Sequence, residues 1–162
     1  MSARDRARRR SILVVDDEGG TVDVLIAVLE DAGYVATGAS NGQEALAQLR
    51  GALPDLVLLD LEMPVLDGAE TLRAIAANPR LTALSVVLMS GIPESMVKRR
   101  CRGYRAFLRK PFSLDELLEA VGELAGPATL NGAARAPAAK PKPKRTPAPR
   151  AAKRRRASRA SK

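Results

Sequence analysis

Four stretches of this chain carry groups that do chemistry when brought together: the acidic pair Asp16-Asp17, Asp60 at the end of Asp55-Leu56-Val57-Leu58-Leu59-Asp60, Ser90, and Lys110. Each closes a short apolar run with little alternation, the pattern of strands buried on both faces of a helix-covered parallel sheet. Open sheets of this kind place their chemistry outside the carboxyl ends of the strands, so the four endings would meet at one edge. Three carboxylates gathered there repel one another, by about 4 kcal/mol per pair at roughly 4 Å and an effective dielectric near 20. Lys110 alone offsets part of that. A hard divalent cation offsets the rest, and Mg2+ is the usual partner of one or two carboxylates plus a phosphate. The Ser90 hydroxyl and the Lys110 ammonium suit phosphoryl oxygens better than a carboxylate substrate. Asp60 is then a nucleophile able to take a phosphoryl group as an acyl phosphate, with the metal and Lys110 neutralising charge. No Gly-rich phosphate cradle lies nearby, so a nucleotide is not the expected donor.

The elements that must position these groups follow from periodicity. Residues 11–15, 34–38, 55–60, 84–89 and 105–109 read as strands. Val22, Leu25, Ile26 and Leu29 recur at helical spacing over 20–32, with Gly33 as the stop and Gly19-Gly20 as a weak start. Asn41 with Glu44, Asp67 with Glu70, and Ser113 with Glu116 make capping-box signatures for three further helices. Gly51 closes the first of these and Asn78-Pro79 the second. Pro93 suits the first turn of a helix carrying Lys98, Arg99 and Arg100. Five strands alternating with five helices at βαβ spacing make an α/β, doubly wound parallel sheet.

These motifs, in this order and at these strand ends, resemble the receiver domain of bacterial two-component response regulators over about residues 11–124. The resemblance rests on the acidic pair, the Asp60-x-x-Met63-Pro64-x-x-Asp67-Gly68 turn, Ser90-Gly91, and Lys110-Pro111-Phe112. It implies a flavodoxin-like sheet of order 2-1-3-4-5 and a phosphoryl group accepted by Asp60 from a sensor histidine kinase or phosphotransfer protein. It also implies Mg2+ bound by Asp17 directly, by Asp16 through water, and by Asp60 and the main-chain carbonyl of Glu62. Ser90 and Lys110 would bind phosphoryl oxygens, and the Lys110-Pro111 bond would be cis. Ser90 and Phe107 would form the switch, although a lone strand aromatic usually serves as core packing. Ser90 stands where Thr is commoner and Phe107 where Tyr is commoner. The stretch from Ser90 to Lys110 is short and basic, which weighs against a dimer through the fourth helix and fifth strand. Asp67 reads as a helix cap and Glu18 as a rim residue.

Charge divides the chain in three. Residues 1–10 carry five Arg and one Asp, a basic N-terminal arm. Residues 11–125, the receiver-like domain, hold ten basic against seventeen acidic residues, and residues 126–162 hold twelve Lys and Arg and no acid. Ala, Pro, Lys and Arg dominate this last stretch, which reads as a disordered tail with polyproline II bias. It is similar to the tails of histone-H1-like bacterial proteins. Residues 127–162 would bind DNA through phosphates without base readout, and no aromatics interleave the charges for stacking. The alternative function is therefore a nucleoid-associated, DNA-binding protein acting through its tail; an acidic globule could also draw that tail back over itself. An aspartate-nucleophile phosphatase is a weaker reading, despite Glu62 standing two residues after Asp60, and the chain is not expected to be an enzyme. With no His and one Cys, a His/Cys zinc site and an intramolecular disulfide are excluded. No apolar run reaches the roughly 20 residues of a membrane span, and no signal peptide is evident. The expected location is cytoplasmic, with nucleoid association under the DNA-binding reading.

Overall fold

A computed structural model describes residues 9–128. Strands and helices alternate: β1 (Ser11–Val15), α1 (Gly19–Asp31), β2 (Val35–Ala39), α2 (Gly42–Gly51), β3 (Leu56–Asp60), α3 (Gly68–Ala77), β4 (Ser85–Ser90), α4 (Glu94–Arg100), β5 (Ala106–Arg109) and α5 (Leu114–Ala125). The five strands form one parallel sheet in the order β2-β1-β3-β4-β5, the expected doubly wound arrangement. The expected disorder and DNA binding of the basic tail, and all of the N-terminal arm but Arg9 and Arg10, fall outside the described residues, the tail from residue 129 onward.

The absence of alternation in the strands has the anticipated cause. Every residue of β3 is buried, and successive side chains enter opposite layers. Leu13, Val57, Leu59 and Leu88 join α2, α3 and α4 on one face. Ile12, Val14, Leu58 and Val87 join α1 and α5 on the other. The sheet is thus held from both sides by aliphatic burial, at roughly 1.5–3 kcal/mol per fully covered side chain.

Helix ends follow the capping signatures, with one exception. Asp67 and Ser113 each complete a reciprocal box with the Glu three residues on. At α2 the box is displaced by one residue. Asn41 accepts from the Glu44 N–H at 2.9 Å, but the Glu44 carboxylate accepts from the Ser40 N–H and hydroxyl, both at 2.8 Å. Asn41 is extended, and Ser40 offers its N–H and its hydroxyl together to the same carboxylate oxygen. Pro93 is the residue before α4 rather than inside its first turn. Strand limits move by a residue. Tyr34 closes α1 by donating its N–H to the Leu29 carbonyl at 3.0 Å, so β2 starts at Val35. β4 continues to Ser90 because Ser90 stays in register with Arg109. A 3-10 turn at Pro79–Leu81, capped by Asn78, is added between α3 and β4.

Two close contacts fix how the chain returns from the sheet edge. Asp55 ties the start of β3 to β1, accepting from the Ser11 N–H at 2.7 Å and from its hydroxyl at 3.2 Å. Gly68 packs so tightly behind the end of β3 that a Cβ there would overlap the Asp60 carbonyl and the Leu61 Cα. Gly68 is required for space and not for an unusual backbone angle. Gly68→Ala is therefore expected to destabilise the fold by about 1–3 kcal/mol, the cost of overpacking, as measured by urea unfolding; a neutral substitution would contradict this packing.

Candidate functional site

Four of the predicted residues meet at the carboxyl edge of the sheet. Asp16 and Asp17 follow β1, Asp60 ends β3, and Lys110 follows β5. Lys110 Nζ donates to Asp16 Oδ2 at 2.8 Å and to Asp60 Oδ1 at 2.9 Å, joining residues from three strands. Asp16 is 1% exposed and Asp60 2%, whereas Asp17 stands open to solvent. Each of the three acids offers an oxygen within 4.8 Å of the others. Asp16 is aimed inward by its own turn, since its Oδ1 accepts the Glu18 N–H at 2.9 Å.

Ser90, at the end of β4, is fully buried and enters the site by a route the sequence did not show. Its hydroxyl donates to Glu62 Oε1 at 2.8 Å while its oxygen accepts from the Ile92 N–H at 3.1 Å. The expectation for Glu62 concerned its main-chain carbonyl, and its carboxylate is the group that touches another predicted residue. No sequence signal pointed to this bond, because the rotamer of an exposed Glu depends on what the fold brings beside it. Phe107 is not drawn to the carboxylates. It lies in β5 in register with Leu88, half-buried, with its ring 6.5 Å from that of Tyr104. The Lys110-Pro111 bond is cis.

The electrostatics follow from this layout. Burial raises the Asp60 carboxyl from an ordinary 3.8 to about 6; the bond and charge of Lys110 pull it down, and the charges of Asp16 and Glu62 push it up. Burial pulls Lys110 down, but its bonds to Asp16 and Asp60 carry it above its ordinary value. Three carboxylates around one ammonium leave the site short of positive charge. The donors are hard oxygens and one of them is open to water, which fits a small divalent cation that keeps part of its hydration shell. Asp16, Asp17 and Asp60 are the residues that would hold it.

A family model described as the response regulator receiver domain matches residues 12–122. The chain belongs to this family. It is 39% identical over 112 residues to the response regulator Rre1 of Synechocystis, an alignment covering 66% of this chain and 48% of Rre1. It is 33% identical over 110 residues to the sporulation initiation phosphotransferase F of Bacillus subtilis, covering 68% of this chain and 89% of that protein. The chain thus spans about half the length of Rre1 and about a quarter of the transcriptional regulatory protein ZraR. Among solved structures it is similar to the response regulator TrrA of Thermotoga maritima in complex with Mg2+ and BeF, at 32% identity and a TM-score of 0.65, covering 71% of this chain and 98% of that one. It is also similar to the receiver domain of the sensor histidine kinase PA1611 of Pseudomonas aeruginosa with a magnesium ion in its active-site cleft. There the identity is 26% and the TM-score 0.68, with 74% of this chain and 99% of that one covered. In this receiver the acidic residues cluster as such a cleft requires. No described helix is long and apolar enough to cross a membrane.

The raised Asp60 value has a consequence for stability. An acid with a higher pKa folded than unfolded binds more protons in the native state, so stability falls as pH climbs from 3.8 to about 6 and levels off above. Asp60→Asn is expected to stabilise the metal-free protein at pH 7.5, by at most about 3 kcal/mol for a shift of about two units. The gain should shrink toward pH 4. Denaturant melts in EDTA across this range test it, and a less stable variant at pH 7.5 would contradict the buried charge.

Proposed function

We propose that this receiver is the phosphoacceptor of a two-component pathway, taking a phosphoryl group on Asp60 from the phosphohistidine of a sensor histidine kinase or phosphotransfer protein. The observation that carries the reading is Asp60 held at the sheet edge by Lys110, with Asp16 and Asp17 alongside. An Asp60 oxygen attacks phosphorus, a P–O bond forms, and the P–N bond breaks with its electron pair returning to the donor imidazole. The product is an acyl phosphate on Asp60. Lys110, tethered at 2.9 Å to the attacking carboxylate, is placed to follow the charge onto the phosphoryl oxygens. Ser90 contributes its hydroxyl once it exchanges Glu62 for a phosphoryl oxygen. Mg2+, when bound by Asp16, Asp17 and Asp60 with the Glu62 main-chain carbonyl, supplies the remaining positive charge.

The protein acts as an acceptor and not as a turnover enzyme. Signalling then proceeds by conformational change. Ser90 and Phe107 are the proposed switch pair, and the half-buried Phe107 ring has Tyr104 as its neighbour.

Incubation with acetyl phosphate and Mg2+ tests the reading. Wild-type protein should gain one phosphoryl mass, and Asp60→Asn should incorporate about 100-fold less or none. Equal labelling of Asp60→Asn would refute the assignment. Asp17→Asn should weaken Mg2+ binding about tenfold, since the affinity of such sites follows the count of charged ligands. Isothermal titration reads this directly, and unchanged affinity would remove Asp17 from the metal set.

A further inference from the structure

Charge is distributed unevenly over the helices. α1 and α5 hold seven acidic residues and no Lys or Arg. In the other layer, α4 ends in Lys98, Arg99 and Arg100, and exposed Arg102, Arg105 and Arg109 follow. Among the described residues, Lys98 is the member of this set with an ion pair, to Glu94 at 3.1 Å. Between α1 and α5 an open groove of about 610 Å3 is lined by Val24, Phe112 and Leu114, with Glu18, Thr21 and Lys110 at its polar end. Val24 is 58% exposed and Leu114 50%, so the floor presents aliphatic surface to solvent.

The chain itself contains an occupant of matching chemistry. It leaves the globule from this same layer: the Tyr34 hydroxyl donates to the Gly126 carbonyl at 3.2 Å, and Ala128 packs against the α1 and α5 core. Residues 129–162 hold twelve Lys and Arg, five Pro and no acid. Helix α5 is about 18 Å long at 1.5 Å per residue. An extended chain retraces that length in about six residues at roughly 3.3 Å each. The first basic residue after α5 is Arg135, followed by Lys140, Lys142, Lys144 and Arg145 with Pro141 and Pro143 between them. This basic run is long enough to reach back along α5 to the groove.

We propose that residues 135–145 dock in cis over the groove between α1 and α5, with Ala and Pro against Val24, Phe112 and Leu114 and the basic side chains against Glu18, Asp115 and Glu119. A proline-interrupted segment loses little entropy on extension. Attachment to α5 keeps the segment at a high effective concentration, so weak individual contacts suffice. The basic α4–β5 ridge repels the segment and directs it to this face. Lys110 lines the groove and also bonds Asp60, so the groove borders the acceptor site. The proposal stands on charge and reach, and holds whether or not Asp60 takes phosphate.

Paramagnetic relaxation tests it in the full chain. A nitroxide is attached at Ala139→Cys, the buried Cys101 being inaccessible to the reagent. At low salt, amides of residues 21–25 and 114–119 should lose intensity severalfold relative to those of α4. The loss should vanish at about 1 M NaCl, where the screening length is about 3 Å. It should also vanish when Lys140, Lys142, Lys144 and Arg145 are all changed to Gln, substitutions outside the described residues. Asp115→Asn with Glu119→Gln should weaken it without touching the groove floor. Broadening spread evenly, centred on α4 and β5, or unchanged by salt would overturn the proposal. Broadening that appears between labelled and unlabelled molecules in a mixed sample would also overturn it, by assigning the groove to the tail of a second copy.

Discussion

The ammonium of Lys110 between Asp16 and Asp60 is the interaction on which the rest of this receiver depends. Two carboxylates almost wholly withdrawn from water would oppose each other and their own burial, and removing their partner would leave uncompensated charge inside the fold. Lys110 reaches both at hydrogen-bond distance because β1, β3 and β5 end at the same edge of one sheet. The balance is incomplete. One cation serves three acids, so Asp60 keeps a raised pKa and the edge retains an appetite for positive charge.

That imbalance gives the sheet its functional character. Strands buried on both sides hold their ends by packing on two faces and by neighbouring strands in register. Gly68 brings the chain back against the Asp60 carbonyl with no room for a side chain. Ser90 is buried and fixed by β4, yet its hydroxyl bonds an exposed Glu62 that can turn to water at small net cost. A rigid carboxylate beside an exchangeable hydroxyl suits a site that must accept a group and then report it.

Much of this was legible from the residues. Apolar runs ending in Asp16, Asp60 and Ser90 named three strand ends, since strands covered on both faces omit alternation, while Lys110 follows an edge strand in which only Leu108 is buried. Asp67–Glu70 and Ser113–Glu116 capped their helices as their spacing implied, because a capping box closes within one turn. What was not legible has a common origin. Glu44 turned to Ser40 rather than Asn41, and the Glu62 carboxylate met Ser90, because a flexible carboxylate goes to whichever donors surround it. The ring beside Phe107 is that of Tyr104, a neighbour set by the path of the chain after α4.

The sequence by itself determined the class of fold, the identity of the acidic and basic groups, and the division of charge between an acidic globule and a basic tail. These depend on periodicity and composition, which are local properties of the chain. Only the tertiary structure decided that Lys110 bridges Asp16 and Asp60, that Asp60 is sealed from solvent while Asp17 is not, and that α1 and α5 form an acidic layer opposite a basic α4–β5 ridge. Each joins residues far apart along the chain. Distance and burial between such residues arise from packing, and no local pattern encodes them.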